Sequence, residues 1–162
     1  MDLEIWNTRL ARTALALSVA LGFALGTLHA DTTDDSASLY QRLGGKPAVA
    51  AVVDDFVTRI VADDQVNHWF HHAASSPELL AAYKSKVADF VCQAASGPCK
   101  YVGLDMLTAH RGRGVTTEAF DRVVSHLVAT LEKLNVPPRE KNELLGLLAP
   151  LKKVIAEKKA AD

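Results

Sequence analysis

The sequence predicts an all-α domain, and three observations predict it. From residue 37 onward the apolar residues recur at helical spacing, and no run alternates like a half-buried strand. Aliphatic residues and alanine dominate, and aromatics make up only 6% of the chain. Helix-start signals stand in front of the long apolar patterns.

The elements follow in order. ASLYQRL (37–43) makes a short first helix, stopped by Gly44-Gly45. KPAVAAVVDDFVTRIVAD (46–63) makes the second: Val52, Phe56 and Ile60, and beside them Val53 and Val57, repeat at i, i+4. DQVNHWF (64–70) reads as a short turn of helix. Ser76-Pro77-Glu78 opens a long helix to about Ala95, with a capping hydroxyl, a proline in the first turn and an acid on the dipole. DMLTAHR (105–111) is brief. Thr116 or Thr117 caps TEAFDRVVSHLVATLEKL, and Pro137-Pro138 opens a last long helix expected to run to about Lys158. There is no internal repeat and no low-complexity tract.

Residues 1–30 stand apart from this pattern. Arg9 and Arg12 precede TALALSVALGFALGTL, sixteen residues without a charge, and Ala30 is followed by acidic DTTDD. Basic region, apolar core and a small residue at the cut are the order of a secretory signal peptide. The expected organisation is a signal over 1–30, a disordered leader over 31–36 and one domain over 37–158, exported to the periplasm. An uncleaved anchor is the alternative, although the apolar run falls short of the ~20 residues a span needs. After cleavage no stable membrane insertion is expected. No cysteine follows the apolar run, which argues against a lipoprotein.

Charge is balanced, with 18 basic and 19 acidic residues, so no strong field would gather nucleic acid. The two cysteines, Cys92 and Cys99, sit in CQAASGPC, where SGP supplies a turn. Outside the cytosol such a pair can oxidise and stay oxidised. A disulfide is the expectation, and two separate thiols are the alternative. The spacing fits neither zinc nor a thioredoxin-like motif.

LTAHRGRGVT (107–116) holds His110 beside two arginines and two glycines. Taken alone, such a histidine is more often solvated than a ligand. His126 reads as a core or surface residue within its helix. His68, His71 and His72 in HWFHH read as solvated rather than metal-binding.

Five pieces, in order, resemble the group I truncated haemoglobins, small haem globins with a two-over-two helical sandwich. They are YQRLGG (40–45), VVDDF (52–56) with ADDQ (62–65), WF (69–70), GP then YVG (97–103), and DM then TAHRGRGVT (105–116). The resemblance spans about residues 38–155. It implies that His110 is the proximal ligand of haem iron and that Phe70 stacks on the porphyrin. It also implies that Phe56, Met106, Val115 and Val123 line the pocket. A neutral imidazole suits haem iron, and its second nitrogen can bond a carbonyl of the same short helix. The chain lacks C-x-x-C-H, so haem b is expected to be non-covalent.

The distal side departs from the resemblance. Many relatives carry Tyr and Gln where this chain has Val57 and Val87, and an aliphatic side chain donates no hydrogen bond. Tyr83, one turn before Val87, is either a replacement donor or an apolar plate at the pocket mouth. Lys84 and Lys86 flank the apolar face of the same helix. Some relatives place a distal ligand at the position of Lys86, so Lys86 either ligates iron or pairs with a haem propionate. The resemblance implies oxygen and other diatomic ligands as partners, with oxidation of nitric oxide the first reaction to test and an unidentified electron donor. A six-coordinate protein for electron transfer or sensing is the alternative. A helical interaction module without haem is a third class.

Overall fold

A computed structural model describes residues 36–157; the expected signal peptide, most of the leader and residue 158 lie outside the described residues. All regular structure among the described residues is helical, as the apolar periodicity requires. Helix α1 (Leu39–Arg42) starts with a capping box, in which Ser38 takes the Gln41 amide and the Gln41 side chain returns to the Ser38 amide. This reciprocal cap offsets the cost of so short a helix. Helix α2 (Gly45–Ala62) buries Val49, Val52, Val53, Val57 and Ile60 on one stripe. A 3-10 turn follows at Asn67–Phe70. Helix α3 (Pro77–Ala94) is capped by Ser76, whose hydroxyl accepts from the Leu79 amide at 3.2 Å. Glu78 in its first turn is held below the usual carboxylate range by its own backbone amide and by Ser76.

Helix α4 (Met106–His110) is one short piece capped by Asp105. Thr116, rather than Thr117, caps helix α5 (Thr117–Lys133), accepting from the Ala119 amide at 3.1 Å. The last segment departs from the sequence expectation of one unbroken helix. It divides into α6 (Pro138–Leu148), a 3-10 turn at Ala149–Leu151 and α7 (Lys152–Ile155). Pro150 is the cause: it has no amide to donate, and its ring crowds the carbonyl four residues earlier.

Two apolar clusters organise the packing. The larger joins Val49, Val52, Val53 and Val57 of α2 to Val91 and Ala95 near the end of α3, Leu127 and Leu131 of α5 and Leu144 of α6. The smaller joins Ile60, Val66, Val115 and Ala119. Phe56, Val61 and Tyr83 pack against both and so form the seam. Val57 and Ile60 are each wholly buried, three residues apart on α2, yet serve different clusters. Burying each contributes about 1.5–3 kcal/mol.

Polar groups clamp the same elements. On α2, Asp55 accepts from Arg59 at 2.6 Å and from the buried Thr130 hydroxyl at 2.8 Å, and pairs with Lys133. Arg42 ties α1 to Glu140 and Glu143 of α6. The Cys92–Cys99 disulfide is present, with Cα atoms 5.8 Å apart. Gly97 fits against it only because it lacks a Cβ: one placed there would lie 2.6 Å from Cys92 Sγ and 2.7 Å from the Tyr40 ring.

Candidate functional site

The site begins at α4. The Asp105 carboxylate accepts from the Thr108 amide at 2.9 Å, and its hydrogen bonds to Thr108 hold it below the usual carboxylate range. That cap fixes the start of a five-residue helix, which could not hold its shape by propagation alone. His110 Nδ1 lies 2.8 Å from the Met106 carbonyl oxygen, one turn earlier. A carbonyl only accepts, so in the neutral ring Nδ1 carries the proton and Nε2 keeps its lone pair. The imidazole is thus prepared as a ligand by its own helix.

The other candidate pocket residues gather in the smaller cluster. Phe56 from α2, Phe70 from the 3-10 turn, Tyr83 from α3, and Val115 with Val123 from α5 and its approach all meet there. The rings of Phe70 and Tyr83 lie 5.9 Å apart at 55°. Burial pushes the Tyr83 phenol up to about 12, with Tyr101 adding to the shift. Its hydroxyl has no hydrogen-bond partner among the described residues. Val87 packs on the larger cluster beside it.

Helix α4 packs chiefly on α7 rather than on α2 or α3. Apolar side chains near it are left open: Leu104 is 62% exposed and Leu107 46%. A prepared imidazole nitrogen, uncovered aliphatic surface beside it, an aromatic wall and a phenol without a partner together fit a flat, largely apolar ligand that carries a metal. The residues present therefore fit haem, with His110 as the residue that would hold the iron.

The lysines separate clearly. Lys84 reaches back to Asp54 of α2 at 2.5 Å. Lys86 is exposed and makes no ion pair among the described residues. His68, His71 and His72 are exposed, His68 stacking on Trp69 with ring centres 3.7 Å apart.

Several contacts have no local signal in the sequence. His126 Nε2 lies 2.5 Å from Asp63, which also takes Arg122 Nε at 2.5 Å. Arg122 and then His126 hold the Asp63 carboxyl well below its ordinary range, and Asp63 in turn raises Arg122. This cluster ties the end of α2 to α5, so His126 is an interhelical residue. Trp69 Nε1 donates to the Arg113 carbonyl at 2.8 Å, and Glu157 accepts from the Arg113 amide at 3.1 Å. These partners are 44 to 63 residues apart, beyond any local pattern.

The architecture and the prepared imidazole define a globin-type site, and comparison with known proteins resolves the class further. The family described as bacterial-like globin matches residues 38–157. A group 1 truncated haemoglobin of Mycolicibacterium paratuberculosis is 36% identical over 122 residues, 75% of this chain and 86% of that protein. Crystal structures of the truncated haemoglobin of Tetrahymena pyriformis in the Fe(III) form superpose with a TM-score of 0.67 at 29% identity, covering 75% of this chain and all of that one. The 2/2 haemoglobin of a Synechococcus, in the cyanomet state with covalently attached haem, gives 0.67 at 30% identity, with 75% and 100% covered. The chain belongs to the group 1 truncated haemoglobins within the bacterial-like globin family. Its fold is accordingly the two-over-two helical sandwich, and membership brings with it haem and the binding of small gas ligands such as oxygen.

Proposed function

We propose that this chain binds haem b non-covalently through His110 Nε2 and binds oxygen and nitric oxide on the opposite side, oxidising nitric oxide to nitrate in the periplasm. When bound, the haem supplies an iron centre for diatomic ligands and, with one electron from a donor, allows nitric oxide and oxygen to combine as nitrate. The chain's own residues supply the rest. His110 is oriented by the Met106 carbonyl, the observation that carries this reading. Phe56, Phe70, Met106, Val115 and Val123 offer the apolar walls that exclude water. Tyr83 keeps its proton at neutral pH, as any phenol does and the more so with burial pushing it up, and so offers an O–H where Val57 and Val87 offer none. Both cysteines are used in the disulfide, so neither thiol is free to attach a haem vinyl group. Export is supported by the order of residues 1–30 and by that disulfide, which persists in an oxidising compartment.

The test combines absorption spectra with nitric oxide consumption. The expected result is a Soret band on haem addition, a changed axial signature in His110→Ala, and nitrate formed when nitric oxide meets the reduced protein in air. No Soret band refutes the haem site, and nitric oxide consumed no faster than by free haem refutes the activity.

A second reading is favoured by the contrast between the two lysines. Lys84 is tied to Asp54, whereas Lys86 is exposed and makes no ion pair among the described residues. We propose it as a sixth ligand in the ferric state, after release of the ammonium proton. A closed sixth position suits electron transfer or sensing better than turnover. Lys86→Ala with an unchanged ferric low-spin spectrum at alkaline pH overturns this ligation.

A further inference from the structure

The segment after His110 is an open loop that packing does not hold. Gly112 and Gly114 take φ of +73° and +65°, and a Cβ at either would meet nothing within 4 Å. Arg113 lies between them and is itself exposed. A loop with glycines at both pivots and empty space around them should swing freely. It is instead fixed at one peptide residue. The Arg113 amide donates both to the His110 carbonyl and to Glu157 Oε1, each at 3.1 Å. The Arg113 carbonyl accepts from Trp69 Nε1 at 2.8 Å. Glu157 is anchored in turn, its own amide donating to the Val115 carbonyl at 2.8 Å.

We propose that Trp69 and Glu157 are positioning residues for His110: they clamp the Arg113 backbone, one at its carbonyl and one at its amide, and thereby set the orientation and hold of the proximal imidazole. The proposal rests on the reading of His110 as the haem ligand. Its path is short. The amide that Glu157 holds is the one bonded to the His110 carbonyl, so the clamp acts one bond away from the residue it places. Trp69 also precedes Phe70, which packs on Tyr83, so one dipeptide touches the proximal loop and the aromatic wall. A movement of that wall is thereby coupled to the loop that follows His110. Glu157 comes from the chain after α7, and Ile155 of α7 packs in the smaller cluster. The C-terminal segment thus closes over the proximal side as a strap.

The experiment uses the full-length, haem-loaded protein and three variants: Trp69→Phe, Glu157→Ala and Glu157→Gln. Two quantities are measured, the rate of haem transfer to an excess of an apo-globin acceptor and the iron–histidine stretching band of the ferrous form. Trp69→Phe keeps an aromatic ring but loses the donor. Glu157→Ala loses the acceptor, and Glu157→Gln keeps one. Loss of one hydrogen bond predicts transfer about fivefold faster in Trp69→Phe and Glu157→Ala, with the band shifted or broadened. Glu157→Gln stays within about twofold of the parent. The proposal is overturned if Trp69→Phe and Glu157→Ala leave the band where it was, even if they lower stability, or if Glu157→Gln behaves like Glu157→Ala. A five-coordinate ferrous parent with no iron–histidine band overturns the His110 reading itself, and the clamp with it; a parent with the band and silent variants overturns the clamp alone.

Discussion

Removing the Tyr83 hydroxyl separates two roles that the same side chain could play. Tyr83→Phe keeps the ring, and with it the contact to Phe70 at 5.9 Å and the seam between the two apolar clusters. The hydroxyl has no partner among the described residues, so deletion breaks no internal bond. The stability of the haem-free protein should therefore change by no more than about 0.5 kcal/mol. The loaded protein should respond differently. A phenol that donates to bound oxygen stabilises it by about 1–1.5 kcal/mol, so oxygen should leave about five- to tenfold faster from Tyr83→Phe. The pH dependence follows from the sign of the shift. Burial raises the phenol to about 12, so the O–H persists throughout the neutral and mildly alkaline range. The difference between parent and variant should then stay constant from about pH 6 to pH 9. Stopped-flow oxygen dissociation, with urea unfolding of the apoprotein as the control, measures both quantities. Equal dissociation rates would refute the donor role and leave Tyr83 an apolar plate.

Other consequences follow from contacts outside the pocket. Cleaving Cys92–Cys99, which closes a loop with a sequence separation of 7, should lower stability by about 2.5 kcal/mol on the loop-entropy model and speed haem release while the fold persists. Equal haem-release rates with and without reductant would contradict the second part. Gly97→Ala forces a methyl to within 2.6 Å of Cys92 Sγ and should cost about 1–3 kcal/mol, read as a lower thermal midpoint. Asp63 is held low when folded, chiefly by Arg122, and returns to about 3.9 when unfolded. Below that pH the unfolded chain binds more protons, so the stabilisation present above about pH 5 is lost as the solution is acidified. Asp63→Asn should lower the urea midpoint at pH 7 and narrow the gap between pH 7 and pH 3; an undiminished gap would exclude Asp63 as a source of acid sensitivity.

The sequence by itself determined the helices, because helical periodicity and capping are local and each is satisfied within a few residues. Val52, Val53, Val57 and Ile60 mark the buried stripe of α2, and Ser76 and Thr116 mark starts that the structure uses. It also carried the family, through short pieces at family spacing, and with the family His110 as the expected ligand. Pro150 is visible too, but the apolar pattern continues past it and masks the break it causes. Only the tertiary structure distinguished Lys84 from Lys86, since both flank one helical face and only Asp54 of another helix separates them. Only it joined Asp63 to His126 and Arg122, and Arg113 to Trp69 and Glu157. Such pairings depend on where distant segments come to rest, and burial sets that position without leaving a periodic trace in the chain. LTAHRGRGVT therefore announces a histidine, while the partners that Arg113 of the same stretch finds lie 44 residues away on either side.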